Sequence, residues 1–353
     1  MKRTCFLSHE DLLSWLARLA EKATVWVPDP DPAHPQVVSY KPFTPGSRPD
    51  FRRLPSLSAK GVLYPQGEVL LRFQKDKDPS APSGYRLSFE DVLPVDCAVL
   101  FGCPPCDARG FLVFDEAFLQ GPYADPYYRE RRERAVVVSR VCRTWDAACF
   151  CHAVGSHPAD EEGSDVQMIP VTEGHIFRAV TAKGERFLEG VGVQPTLAQH
   201  QEAQAALEQG RAQRLEDAAL VSPSDDFRKR FSDAAFWRLW TERCLSCGLC
   251  TFVCPTCYCF TITDESDGIH GERLRSWDAC MFHHFTQEAS GHNPRPSKAE
   301  RYRNRVGHKF SYFPEKHGRI ACCGCGRCIR SCPVSMDIRA IVRALSQTED
   351  AHV

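Results

Sequence analysis

Nineteen of the 353 residues are cysteine, and their spacing is the first chemical signal in the chain. Cys244, Cys247, Cys250 and Cys254 are spaced by two, two and three residues, with Pro255 following; Cys322, Cys325, Cys328 and Cys332 repeat the pattern, with Pro333 following. Thiolates are soft ligands, and a tight loop can aim several of them at one centre. Disulfides belong to oxidising compartments, yet Met1 runs through Lys2 and Arg3 into an amphipathic stretch with Glu10 and Asp11 rather than a secretory signal. The expectation is a cytoplasmic protein whose thiols are reduced and available to metal.

The run C-x2-C-x2-C-x3-C-P is the one by which bacterial ferredoxins hold [4Fe-4S] clusters: three thiolates go to one cube, and the cysteine before proline reaches the other. The crossed assignment gives Cys244, Cys247, Cys250 and Cys332 to one cluster, and Cys322, Cys325, Cys328 and Cys254 to the second. Structural zinc also uses paired C-x2-C motifs. Two complete four-cysteine runs, each ended by proline, favour iron-sulfur. Gly248, Gly324 and Gly326 suit backbone that passes close to inorganic sulfide. Cys323, one residue out of register, reads as a bystander.

Residues 255–321 separate the runs, far more than a simple ferredoxin connection, so an inserted element is implied. It carries three further thiols, Cys257, Cys259 and Cys280, and a basic concentration: His283, His284, His292, Arg295, Arg301, Arg303, Arg305, His308 and Lys309. The readings for that charge are a solvated face and a docking or anion-binding surface. A second group of thiols lies in the N-terminal half: Cys106, Cys142, Cys149 and Cys151. Four thiolates suit a third [4Fe-4S] cluster or a zinc ion on ligand count, with unligated or catalytic thiols as the alternative. Cys5, Cys97 and Cys103 read as ordinary residues.

These groups need elements to position them. Leu12, Leu13, Trp15, Leu16 and Leu19 fall at helical spacing over residues 9–20, with Ser8 as cap. Residues 23–27, 69–73, 97–101 and 135–139 read as strands, 108–119 as a helix, and 166–171 with 175–180 as a hairpin. Cys106 would follow a strand and Cys142 would close the next one, so both could lie at one end of the same sheet. The Pro-rich stretch 28–55 reads as loop. Residues 197–220 read as a mostly exposed helix and 227–240 as a helix packed on the cluster region. The fold class is α+β: an N-terminal α/β domain (1–195), a helical linker (196–241) and a helical, bacterial-ferredoxin-like dicluster domain (242–353) with a long insertion between the cluster motifs.

Lys plus Arg number 44 against 45 Asp plus Glu, so a net charge of −1 offers no field for nucleic acid or anionic membrane. No apolar run reaches the ~20 residues of a spanning helix, and no G-x-G-x-x-G, Walker A or H-E-x-x-H motif is present.

The ordered set Cys244-x2-Cys247-Gly248-x-Cys250-x3-Cys254-Pro255-Thr256-Cys257-x-Cys259, Cys280, Gly291-His292-Asn293 and Cys322-x2-Cys325-Gly326-x-Cys328 resembles the beta subunit of cytosolic sulfhydrogenases, which are NiFe hydrogenase complexes. It is also similar to the 4Fe-4S dicluster subunit of anaerobic sulfite reductase. The likeness continues through Phe101-Gly102-x-Pro104-Pro105-Cys106-Asp107, Asp125-Pro126-Tyr127-Tyr128, Arg131-Arg132-Glu133-Arg134 and Cys149-Phe150-Cys151, the middle two stretches being closer to the hydrogenase branch. The chain departs from the usual Gly-Gly-His-Asn-Phe-Arg-Pro, reading Ser290-Gly291-His292-Asn293-Pro294-Arg295-Pro296. The resemblance implies an electron-transfer subunit working with a flavin- and NAD(P)-binding subunit and a catalytic redox subunit. The rival reading is a catalytic subunit that reduces sulfur, polysulfide or sulfite at Cys257, Cys259 and Cys280.

Overall fold

The computed structural model describes residues 3–213 and 224–345. Its larger sheet takes seven strands: β1 (Thr4–Ser8), β2 (Thr24–Pro30), β3 (Val38–Pro42), β6 (Ala98–Cys103), β7 (Val136–Arg140), β8 (Val166–Val171) and β9 (Gly174–Ala179), in the order β1-β9-β8-β7-β6-β2-β3. Strands β2, β6, β7 and β8 are mutually parallel, and antiparallel strands close both edges. The central strands β6 and β7 are almost wholly buried, as strands covered on both faces must be. Helix α1 (His9–Ala20) starts at Ser8, whose side chain accepts from Asp11 N, and sets Trp15 edge-on to Phe101 and Phe177 in the core.

The second helix, α2 (Pro105–Phe118), begins three residues before the apolar periodicity does. Pro105 lacks the N–H that the first turn would leave unpaired, so it opens the helix at no loss. This puts Cys106 and Asp107 in the first turn, directly beyond β6. The Pro-rich stretch is not all loop: β2 extends to Pro30 and β3 pairs with it at the sheet edge, where proline removes few ladder bonds.

The helix read over 197–220 is α3 (Leu197–Ala212), and residues 214–223 lie outside the described part. Its Ala203, Ala206, Leu207 and Gly210 form a buried stripe against Ala159 and Ile169. The single helix expected over 227–240 is two, Ser224–Arg230 and Ala234–Thr241. Asp233 divides them because its carboxylate caps the second by accepting from Phe236 N.

A second, four-stranded antiparallel sheet joins the two halves of the chain. The hairpin β10 (Phe260–Ser266) and β11 (His270–Trp277), from between the cysteine runs, pairs through β11 with β4 (Gly67–Lys77), and β4 with β5 (Tyr85–Asp91). The strand expected at 69–73 therefore belongs to this sheet, and the cysteine-run region is not purely helical. Arg275 lies opposite Glu68 across the β11–β4 pair and donates to it at 2.6 and 2.8 Å, both side chains being buried. After the hairpin comes α4 (Lys298–Gly307), opened by a Ser297–Glu300 capping box and continued by one π-helical turn, His308–Tyr312.

Candidate metal centres

The two runs adopt the same backbone. Ser246 (φ 55°) and Gly324 (φ 61°) occupy equivalent left-handed positions, as do Gly248 (φ 74°) and Gly326 (φ 71°), each glycine leading into a one-turn helix, Leu249–Phe252 or Arg327–Arg330. Left-handed turns fold three thiols inward from one loop, and glycine adopts them without steric cost. Cys244, Cys247, Cys250 and Cys332 line one cavity with Met281, Tyr302 and Met336. Cys254, Cys322, Cys325 and Cys328 line a second, with Phe150 and Ile338. In each case the cysteine before proline faces the loop of the other run.

Cys106, Cys142, Cys149 and Cys151, though scattered in sequence, line a third cavity with Trp145 and His157. Two arrive from the carboxyl ends of β6 and β7, two from the loop that follows β7. That loop lies on the second run: Phe150 N donates to Gly324 O at 2.8 Å, and a Cβ at Gly324 would meet the Cys151 backbone at 2.5 Å. Burial pushes the Cys106 and Cys142 thiols up and that of Cys151 up to about 12, so without a metal they are protonated at neutral pH. The thiols surround spaces: among the described residues no group of three or more His, Cys, Asp or Glu could hold a single metal ion.

Cations expected at a surface turn inward. Arg301, Arg305 and Lys309 are buried, whereas His283, His284 and His292 are exposed. Arg305 donates to Cys250 O at 2.8 Å and to Cys257 Sγ at 3.4 Å. One turn on, Lys309 donates to Cys254 Sγ at 3.4 Å, Thr256 Oγ1 at 2.7 Å and Ala321 O at 2.8 Å. Burial alone would lower the Lys309 ammonium, but the thiols of Cys254 and Cys257 outweigh it and hold the group above its ordinary value. Lys60 reaches from the N-terminal half to donate to Thr251 O at 3.1 Å and Cys257 O at 2.9 Å; burial lowers it to about 8. The neighbouring Cys259 lowers the Cys280 thiol to about 6.

Lys60 and Arg327 carried no motif in the sequence, and Asp107 appeared only within the resemblance stretch around Cys106, with no role attached. Arg327, in the second run's short helix, donates to both Asp107 oxygens, at 2.5 and 2.9 Å, and to Pro55 O at 2.8 Å. Asp107 also accepts from Tyr40 Oη and Ala59 N. The clue to a site role was adjacency, since Asp107 follows Cys106 and Arg327 precedes Cys328.

Residues 243–336 match the family model of the 4Fe-4S dicluster domain, which makes this an iron-sulfur protein. Among curated proteins, sulfhydrogenase 2 subunit beta of Pyrococcus furiosus (strain ATCC 43587 / DSM 3638 / JCM 8422 / Vc1) is 32% identical over 242 residues, 68% of this chain and 71% of that one. The chain belongs to the sulfhydrogenase beta-subunit family. No solved structure matches it. Among the described residues no helix is long and apolar enough to cross a membrane.

Proposed function

We propose that the chain is the electron-relay subunit of a cytoplasmic hydrogenase-type complex, holding three [4Fe-4S] clusters between a flavin- and NAD(P)-binding subunit and a catalytic redox subunit. The observation that carries this reading is the continuity of the three cavities. Cys328 lines the first and the second, and Cys325 the second and the third. Clusters bound there would take up and release single electrons, at potentials set by hydrogen bonds, charge and exposure. The chain's own work is to order the sites in a line and dry them with Phe150, Tyr302 and Met281. Arg305, Lys309 and Lys60 offset the negative charge that bound cluster thiolates would carry, which is costly to bury unpaired.

Iron and acid-labile sulfide analysis tests the count: about twelve of each per chain for three clusters, about eight for the two runs alone. Cys149→Ser is expected to remove about four iron atoms while the EPR signals of the other two clusters persist. Cys332→Ser should perturb the cluster of Cys244, Cys247 and Cys250, and Cys254→Ser the other. Iron unchanged in Cys149→Ser would refute the third cluster, and damage confined to each mutated run would refute the crossed assignment.

A further inference from the structure

Beyond the third cavity the chain forms a wide crevice that no motif predicted. It lies at the carboxyl ends of β2, β7 and β8, the position at which open parallel sheets bind ligands. Thr144 lines both this crevice and the third thiol cavity. Five arginines line it, Arg48, Arg52, Arg53, Arg140 and Arg143, together with His175. Only two carboxylates face them, and both are engaged: Asp50 pairs with Arg53 at 2.6 Å, and Glu202 accepts from Thr172 N and Oγ1. Among the described residues no ion pair involves Arg48, Arg52, Arg140 or Arg143. Two wall residues also keep unused hydrogen-bonding capacity. Arg140 is 3% exposed and gives one bond, to Arg53 O at 2.6 Å, leaving Nε without a partner; His175, 7% exposed, has Nδ1 without one.

We propose that this crevice is a binding site for a phosphate-bearing small molecule of the nucleotide class. Unpaired buried guanidinium N–H groups are costly unless an acceptor completes them, and phosphate oxygens match the guanidinium fork. Phe51, Met168 and Val171 add apolar lining, which a base or flavin ring could use. The sequence has no phosphate-binding glycine loop because arginine side chains, rather than backbone amides, supply the donors. A concave site with buried donors favours a small ligand over a flat acidic protein surface, which would reach the rim alone.

Isothermal titration calorimetry of the full-length, cluster-loaded protein with ADP and with inorganic pyrophosphate, at about 0.15 M salt, tests this. The expected result is one saturable site for ADP, with pyrophosphate competing. Arg52→Ala and Arg143→Ala, both exposed and outside the thiol sites, should each weaken it by about tenfold or more. Arg72→Ala, on the other sheet, should leave it unchanged. Absence of ADP and pyrophosphate binding at millimolar concentration would overturn the proposal, as would binding indifferent to Arg52 and Arg143. Binding of a poly-glutamate peptide in place of ADP, lost in the same variants, would overturn it in favour of a protein partner.

Discussion

The two cysteine runs share one spacing and one backbone, yet they sit in opposite surroundings. In the first run Cys247 is exposed, Leu245 is 63% exposed, and the left-handed position is filled by Ser246. In the second, Cys325 is buried, the equivalent position is Gly324, and the loop 148–151 lies across it. At the next equivalent pair the first run has Leu249, 37% exposed, and the second has Arg327, 1% exposed and paired with Asp107. Identical cysteine spacing is thus compatible with one loop exposed at the surface and another embedded between two halves of the protein. The motif defines the loop; the tertiary contacts define its surroundings.

The largest effect expected is from breaking the buried pair. Asp107→Ala leaves the Arg327 charge buried and unpaired, a loss of about 3–5 kcal/mol, whereas Leu249→Ala at the equivalent place should stay within about 1 kcal/mol. Thermal unfolding followed by circular dichroism compares them, and equal losses would end the inner-versus-outer distinction.

Next is Gly324→Ala. The new Cβ would lie 2.5 Å from the Cys151 backbone on a left-handed residue, so a loss of about 2–4 kcal/mol is expected. Iron should be lost first from the N-terminal thiols. Ser246→Ala, already left-handed with a side chain, should change both by little.

The third effect is on potential alone. Lys309→Met keeps the volume and removes the donor to Cys254 Sγ, so reduction of the second cluster becomes harder. Its midpoint, by EPR-monitored titration, should fall by roughly 60 mV, equivalent to a tenfold shift of a one-electron couple, with the first cluster unmoved. A shift in both would show that the field does not discriminate between the runs.

The smallest is a pH dependence. Lys309 is held above its ordinary value and stays charged, whereas Lys60, near Cys257 and Cys254, titrates near 8 because it is buried. It is cationic below that pH and neutral above it, and losing the cation disfavours adding an electron. The second-cluster potential should therefore drop on the order of 20 mV as pH rises through about 8, and Lys60→Met should abolish the step by holding the lower value throughout.

The loops of the two runs were legible in the sequence because contiguous chain builds each one: spacing, glycines and the terminal proline act within a few residues. The helix His9–Ala20 and the strand and helix around Cys106 were legible for the same reason, local periodicity and capping. What local signals could not carry was anything made by distant segments. The pairing of β11 with β4 joins residues that are far apart in sequence, and no turn or periodicity announces it. Arg305 and Lys309 read as part of a basic surface stretch, because charge in a sequence says nothing about which way a helix faces. Cys106, Cys142, Cys149 and Cys151 could be listed from the sequence, but only the sheet that ends β6 and β7 side by side, and the loop laid over Gly324, brings them to one cavity. Sequence alone determined which thiols each run offers; tertiary structure decided which sites are neighbours, which are dry and which cations face them, since those properties depend on packing between segments that no short window contains.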